Sequence, residues 1–134
     1  MLVCLNCWET KSDCRCSQNQ YVEIDDNIYP AIKKLNLLGY KTKFCCEGHN
    51  DEYGIQAYIV FDCNKDNKMF DSLPEGWYYE SYNYKKVKHY KYNIIRSIVP
   101  SKRTFETMND KQRQDIIDTN IFNLIQWCDK LEKG

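Results

Sequence analysis

The chain has 134 residues, 43% hydrophobic and 14% aromatic, with 19 Lys and Arg balanced by 19 Asp and Glu. That length makes one domain able to bury a core, and the apolar content sets it apart from disordered chains. No run approaches the roughly 18 apolar residues of a membrane span, and MLVCLNCWETK lacks the basic start, apolar run and cleavage site of a secretory signal.

These features predict a cytoplasmic protein. In a reducing compartment its eight cysteines read first as metal ligands or reactive groups and only then as disulfides. Lys outnumbers Arg 15 to 4, and Asn, Ile and Tyr are frequent, as in an AT-rich coding source such as a low-GC bacterium or its phage.

The segment CLNCWETKSDCRC spaces Cys4, Cys7, Cys14 and Cys16 as C-x2-C-x6-C-x-C. A C-x2-C knuckle puts two thiolates on one side of a tetrahedral zinc ion, and six residues suffice for a turn that returns the second pair. So short a segment has no core of its own, and metal binding would order it. Four protein ligands close the coordination sphere, so this zinc is expected to be structural. Residues 1–20 are read as a zinc knuckle appended to a single α+β domain of residues 21–134.

In DDNIYPAIKKLNLLG, one of Asp25, Asp26 and Asn27 is expected to cap a helix with Pro30 in its first turn. Ile28, Ile32 and Leu35 recur at helical spacing, and Gly39 ends the element. KTKFCC alternates Thr42, Phe44 and Cys46 against Lys41, Lys43 and Cys45, a strand with one buried face. IQAYIVFD reads as a central strand antiparallel to it. A polar connector with a short helix near Lys65–Leu73 follows, then strands in GWYYES and within KVKHYKYNIIRSIV, ended by Pro100. Asn109 and Gln112 stand in capping-box relation before a helix whose stripe is Ile117, Ile121, Leu124, Cys128 and Leu131. The expected fold class is α+β: an antiparallel sheet of about four strands packed by two long helices, with the Cys4 to Cys16 knuckle in front.

Chemistry concentrates in FCCEGHN, where Gly48 permits a turn that brings His49 back over Cys46. Three readings compete there: a structural loop; a catalytic Cys-His pair drawing on Cys45, Cys46, Glu47 and His49, with Glu47 or Asp51 orienting the imidazole; and a second metal site. If Ile55 pairs with Cys46, Cys63 lies at the far end of the hairpin and does not join them.

The other unusual run carries Lys85, Lys86, Lys88, Lys91, Arg96, Lys102 and Arg103 with no acid between Glu80 and Glu106. From Glu47 to Glu75 seven acids face Lys65 and Lys68, so zero net charge hides polarity. Lysines interleaved with Tyr90 and Tyr92 suit a surface that tracks phosphates and stacks bases, although alternation in a half-solvated strand pair also produces them.

Asp26, Ile28, Ile32, Asn36, Tyr40, Thr42, Cys46, Gly48 and His49 resemble the helix-and-corner segment of the tRNA wybutosine-synthesising protein family. In that family the corner reads T-x-S-C-S-G-R; here Cys45, Glu47 and His49 replace Ser, Ser and Arg. The resemblance implies an RNA- or nucleotide-modifying enzyme, with S-adenosylmethionine as its cofactor. The same corner is similar to one in small uncharacterised proteins of low-GC bacteria and their phages.

The leading expectation is a zinc-stabilised binding module without catalytic function, possessing a macromolecular partner that is a protein or a nucleoprotein assembly. A phage-encoded modulator of a host enzyme or defence complex fits that size. The alternatives are the modifying enzyme and a nucleic-acid binder acting alone through the Lys/Tyr-rich strands.

Overall fold

Strand-forming residues assemble into two antiparallel ladders in the computed structural model, which describes residues 1–18, 20–50, 54–62, 68–83 and 91–132. The smaller pairs β1 (Leu2–Cys4) with β2 (Tyr21–Glu23), Val3 opposite Val22. The larger comprises β3 (Thr42–Cys46), β4 (Tyr58–Phe61), β5 (Trp77–Asn83) and β6 (Lys91–Ser97) in the order β3-β4-β6-β5, antiparallel throughout. Three α-helices stand among the described residues: α1 (Tyr29–Leu37), α2 (Lys102–Glu106) and α3 (Asp110–Lys130). The architecture is the expected α+β layer, an antiparallel four-stranded sheet covered by helices, with the cysteine cluster at its front. No helix among the described residues is long and apolar enough to cross a membrane.

Ile28 just before α1, Ile32 and Leu35 of α1, Ile59 and Phe61 of β4, Ile95 of β6, and Ile117 and Leu124 of α3 meet in one core, each at most 2% exposed. Val3 of β1 joins them at 0%, and β2 ties residues 21–23 to the cysteine-bearing segment. The terminal ammonium of Met1 donates to the carbonyl of Ile24 at 2.7 Å and to the Glu23 carboxylate at 2.6 Å. Buried indoles of Trp77 and Trp127 donate to the Asn120 carbonyl and the Ser72 hydroxyl, so their polar atoms are satisfied inside the fold.

Some local details differ from the sequence reading. The N-cap of α1 is Ile28, which makes no side-chain cap, because Asp25 and Asn27 are drawn away to bond Glu47. Pro30 does fall in the first turn, and Gly39, at φ 97°, follows the helix end. In β3 the expected faces are exchanged. A bulge between Thr42 and Phe44 shifts the pairing, so Cys45 lies opposite core residue Ile59 while Phe44 is 58% exposed. Cys46 pairs with Tyr58, not Ile55, and Cys63 lies outside the described residues. The connector's helix is a single 3-10 turn at Lys68–Asp71. Helix α2, which sequence periodicity does not reveal, starts from a Ser101 side chain that accepts the Thr104 N–H.

At α3 local chemistry and outcome agree. The Asn109 side chain accepts the Gln112 N–H at 2.8 Å and the Gln112 side chain accepts the Asn109 N–H at 2.9 Å. Asn109→Ala removes both the acceptor and the reciprocal geometry. Urea unfolding is expected to show a loss of about 1 kcal/mol, with faster amide exchange confined to the first turn of α3.

Candidate metal centres

The sulfurs of Cys4, Cys7, Cys14 and Cys16 all lie within 4.8 Å of one another, with Cys4 buried and the others partly so. This group can hold a metal ion: in a tetrahedral site at about 2.3 Å per bond, neighbouring sulfurs sit about 3.8 Å apart. Backbone groups already face the sulfurs. Asn6 N–H points at Cys4 Sγ and Cys16 N–H at Cys14 Sγ, both at 3.4 Å. The Cys7 and Asn6 N–H groups lower the Cys4 thiol to about 7, whereas the Cys7 and Cys14 side chains push Cys16 up to about 12. Cys4 and Cys16 are thus shifted in opposite directions within one cluster.

Trp8 completes the first turn. It is the one non-glycine residue with positive φ among those described, at 61°, a conformation costing about 1–2 kcal/mol. Three contacts hold it there. Its N–H donates to the Cys4 carbonyl at 2.9 Å, its carbonyl accepts the Tyr29 hydroxyl at 2.7 Å, and its ring packs on the core. Nearby, Lys33 of α1 donates to Glu9 at 2.6 Å.

A second group of donors gathers at the end of β3. His49 Nε2 lies 3.5 Å from Cys46 Sγ and 3.8 Å from Asp25 Oδ2, and the three residues' ligand atoms are all within 4.8 Å. Asp25, in the link between β2 and α1, is the member that sequence reasoning missed. Glu47 is not beside the imidazole: it is buried, taking the Asn27 N–H at 3.2 Å and the Asn27 side-chain amide at 2.6 Å. Its own N–H donates to Asp25 Oδ2 at 3.1 Å, so Glu47 fastens the corner while Asp25 lies beside His49. Asp51, the other acid expected to orient the imidazole, falls outside the described residues.

Both adjacent thiols are shifted toward the protonated form. Burial pushes Cys45 up to about 12, and burial with the nearby Asp25 and Glu47 carboxylates raises Cys46 above its usual value. Cys45 also turns to the core side of the sheet, away from the group formed by Cys46.

The basic aromatic run is only partly described: Lys85, Lys86, Lys88 and Tyr90 lie outside the described residues, and Lys91 is placed by its backbone alone, opposite Asn83. Arg96 donates to Glu80 at 2.9 Å and stacks near Tyr58. Tyr92 accepts from Lys43 at 2.8 Å, and Lys102 and Arg103 begin α2. The described members thus bond within the chain or lie at separate places. Set against protein-family models, curated proteins and solved structures, the chain matches none.

Gly48 is the residue on which the corner turns. Its φ is +88°, and a Cβ there would meet the Ile55 carbonyl oxygen at 2.6 Å, beside the His49 N–H bond to Gly54. Gly48→Ala is expected to cost about 1–3 kcal/mol in urea unfolding and to leave the β1–β2 amide signals in place. An unchanged midpoint would show that the turn is not held as described.

Proposed function

We propose that the protein is a small zinc-stabilised binding module of the cytoplasm, engaging a protein or protein–nucleic-acid assembly. The observation that carries this reading is the convergence of Cys4, Cys7, Cys14 and Cys16 within 4.8 Å. Four soft thiolates suit zinc, and four of them leave no position for substrate. Bound there, the ion would supply folding free energy to a segment that contributes few apolar residues besides Val3 to the core.

Support for a protein partner comes from the surface beside that segment. Leu5, Trp8, Val22, Phe44 and Tyr58 line a groove between the β1–β2 ladder and β3, with Leu5 41% and Phe44 58% exposed. β3 is the end strand of its sheet, and an end strand can accept an extended segment of another chain. Phe44 is exposed on that edge, so a segment carrying an apolar side chain would suit it. The Lys-, Asn- and Ile-rich composition supports extending the reading to a phage-encoded modulator of a host enzyme or defence complex. The modifying-enzyme reading, with S-adenosylmethionine, draws support from the Asp25, Cys46 and His49 convergence but loses it from the raised Cys45 and Cys46 thiols. A nucleic-acid binder acting alone has less support, since Arg96 is paired with Glu80.

Elemental analysis of protein purified without chelator is expected to find zinc. Removing it with a strong chelator under reducing conditions should lower Tm by more than about 10 °C, as structural zinc contributes on the order of 10 kcal/mol in small domains. Cys14→Ser should do the same, and a Tm indifferent to chelator would reject the structural zinc. A partner complex formed by the intact protein is expected to weaken with salt, to be lost in Phe44→Glu, and to survive Cys46→Ser and His49→Ala. Equal recovery with Phe44→Glu would count against the groove.

A further inference from the structure

Cys46 and His49 stand at C-x2-H spacing, the histidine counterpart of the C-x2-C pair Cys4 and Cys7. Their local geometry matches too. Gly48 N–H points at Cys46 Sγ at 3.4 Å, just as Asn6 N–H points at Cys4 Sγ and Cys16 N–H at Cys14 Sγ, each at 3.4 Å. In all three turns the donor lies two residues beyond the cysteine and aims its N–H at the sulfur. The corner thus repeats, at a distance of some thirty residues in the chain, the backbone cradle of the four-cysteine centre.

The spacing of the donors fits an ion as well. With bonds of about 2.3 Å to sulfur and about 2.0–2.2 Å to nitrogen and oxygen, tetrahedral zinc holds sulfur and nitrogen about 3.6 Å apart and nitrogen and oxygen about 3.4 Å apart. The distances here are 3.5 Å from Cys46 Sγ to His49 Nε2 and 3.8 Å from His49 Nε2 to Asp25 Oδ2. Both distances lie within about half an ångström of those values, and the Asp25 and Cys46 ligand atoms are within 4.8 Å of each other.

We infer that Asp25, Cys46 and His49 form a second metal site, separate from the four-cysteine centre, which takes a divalent first-row transition ion such as zinc and leaves one coordination position open. The two arms of the site come from different elements and are locked together before any ion arrives. Glu47 donates its N–H to Asp25 Oδ2 and anchors its carboxylate on Asn27, so Asp25 is held facing the Cys46–His49 turn. A carboxylate, a thiolate and a neutral imidazole bring charge of opposite sign to a divalent ion. Side chains of His49 and Asp25 are 54% and 32% exposed, so solvent reaches the remaining position, which suits water or an oxygen donor from a ligand.

The test is native mass spectrometry of the full-length chain equilibrated with micromolar zinc. Two ions per chain are expected for the unaltered protein, against one for Cys46→Ser, His49→Ala and Asp25→Asn. Asp25→Asn keeps an oxygen to accept the Glu47 N–H, so it tests ligation without removing the brace, and its second-ion affinity should fall at least about tenfold. Cobalt offers an independent readout: the second ion should add a thiolate-to-metal absorption that Cys46→Ser lacks. A single ion in the unaltered chain, or a second ion indifferent to all three substitutions, would overturn the inference. One ion lost only in Cys14→Ser would remove the second site and spare the first; two ions of which Cys14→Ser removes one and Asp25→Asn the other would support both.

Discussion

Four cysteine sulfurs converge within 4.8 Å at the front of the molecule, and negative charge gathered on sulfurs that close is costly without a cation between them. Within that cluster Cys4 is shifted down to about 7 and Cys16 up to about 12. A divalent cation removes the conflict by taking all four as thiolates, which is why the arrangement is more intelligible as a ligand set than as a reservoir of free cysteines. The strained backbone of Trp8 supports the same view. A residue at φ 61° is retained there by three separate contacts, which makes the first turn a fixed feature of the fold.

From that cluster, order passes into the domain through a few defined contacts. β1 carries Val3 into the shared core next to Cys4, and β2 returns the chain to Asp25. Lys33 and Tyr29 of α1 reach back to Glu9 and to the Trp8 carbonyl. Asp25 and Asn27 then tie the start of α1 to Glu47 at the end of β3. Residues 23–27 are consequently the junction of both cysteine-bearing regions. Their side chains serve that junction instead of capping the helix, which leaves α1 to begin at an uncapped Ile28.

Features set by neighbours in sequence were legible before the fold was known, and those set by distant pairing were not. The capping box at Asn109 and Gln112, the Gly39 helix end and the stripe of Ile117, Ile121 and Leu124 all depend on residues within a turn or two, and each appears where expected. The faces of β3 depended on one extra residue near Lys43, and a period of two has no way to announce a bulge. Three-residue strands such as β1 and β2 are too short for any periodicity. By sequence Asp25 is, with Asp26 and Asn27, a candidate cap of α1; its place beside His49 depends on the distant Glu47, whose N–H it accepts and whose carboxylate Asn27 binds, and no local pattern announces that link.

The two donor groups differ less in their backbone than in their completeness. Cys4, Cys14 and Cys46 each accept an N–H from two residues ahead, so the three turns share one backbone arrangement around sulfur. What separates them is the number of side chains that arrive. Around Cys4 the return of Cys14 and Cys16 brings the donors to four with Cys7, and an ion held by all four would have no position left to offer. Around Cys46 the chain supplies only His49 and, from across the junction, Asp25, on a surface reached by solvent. The same local device therefore ends in two different chemical situations, a closed centre suited to holding a fold together and an open one suited to meeting a ligand. The Glu47 brace joins them, because the residue that fixes Asp25 beside His49 also fixes the segment leading back to β2 and the four cysteines.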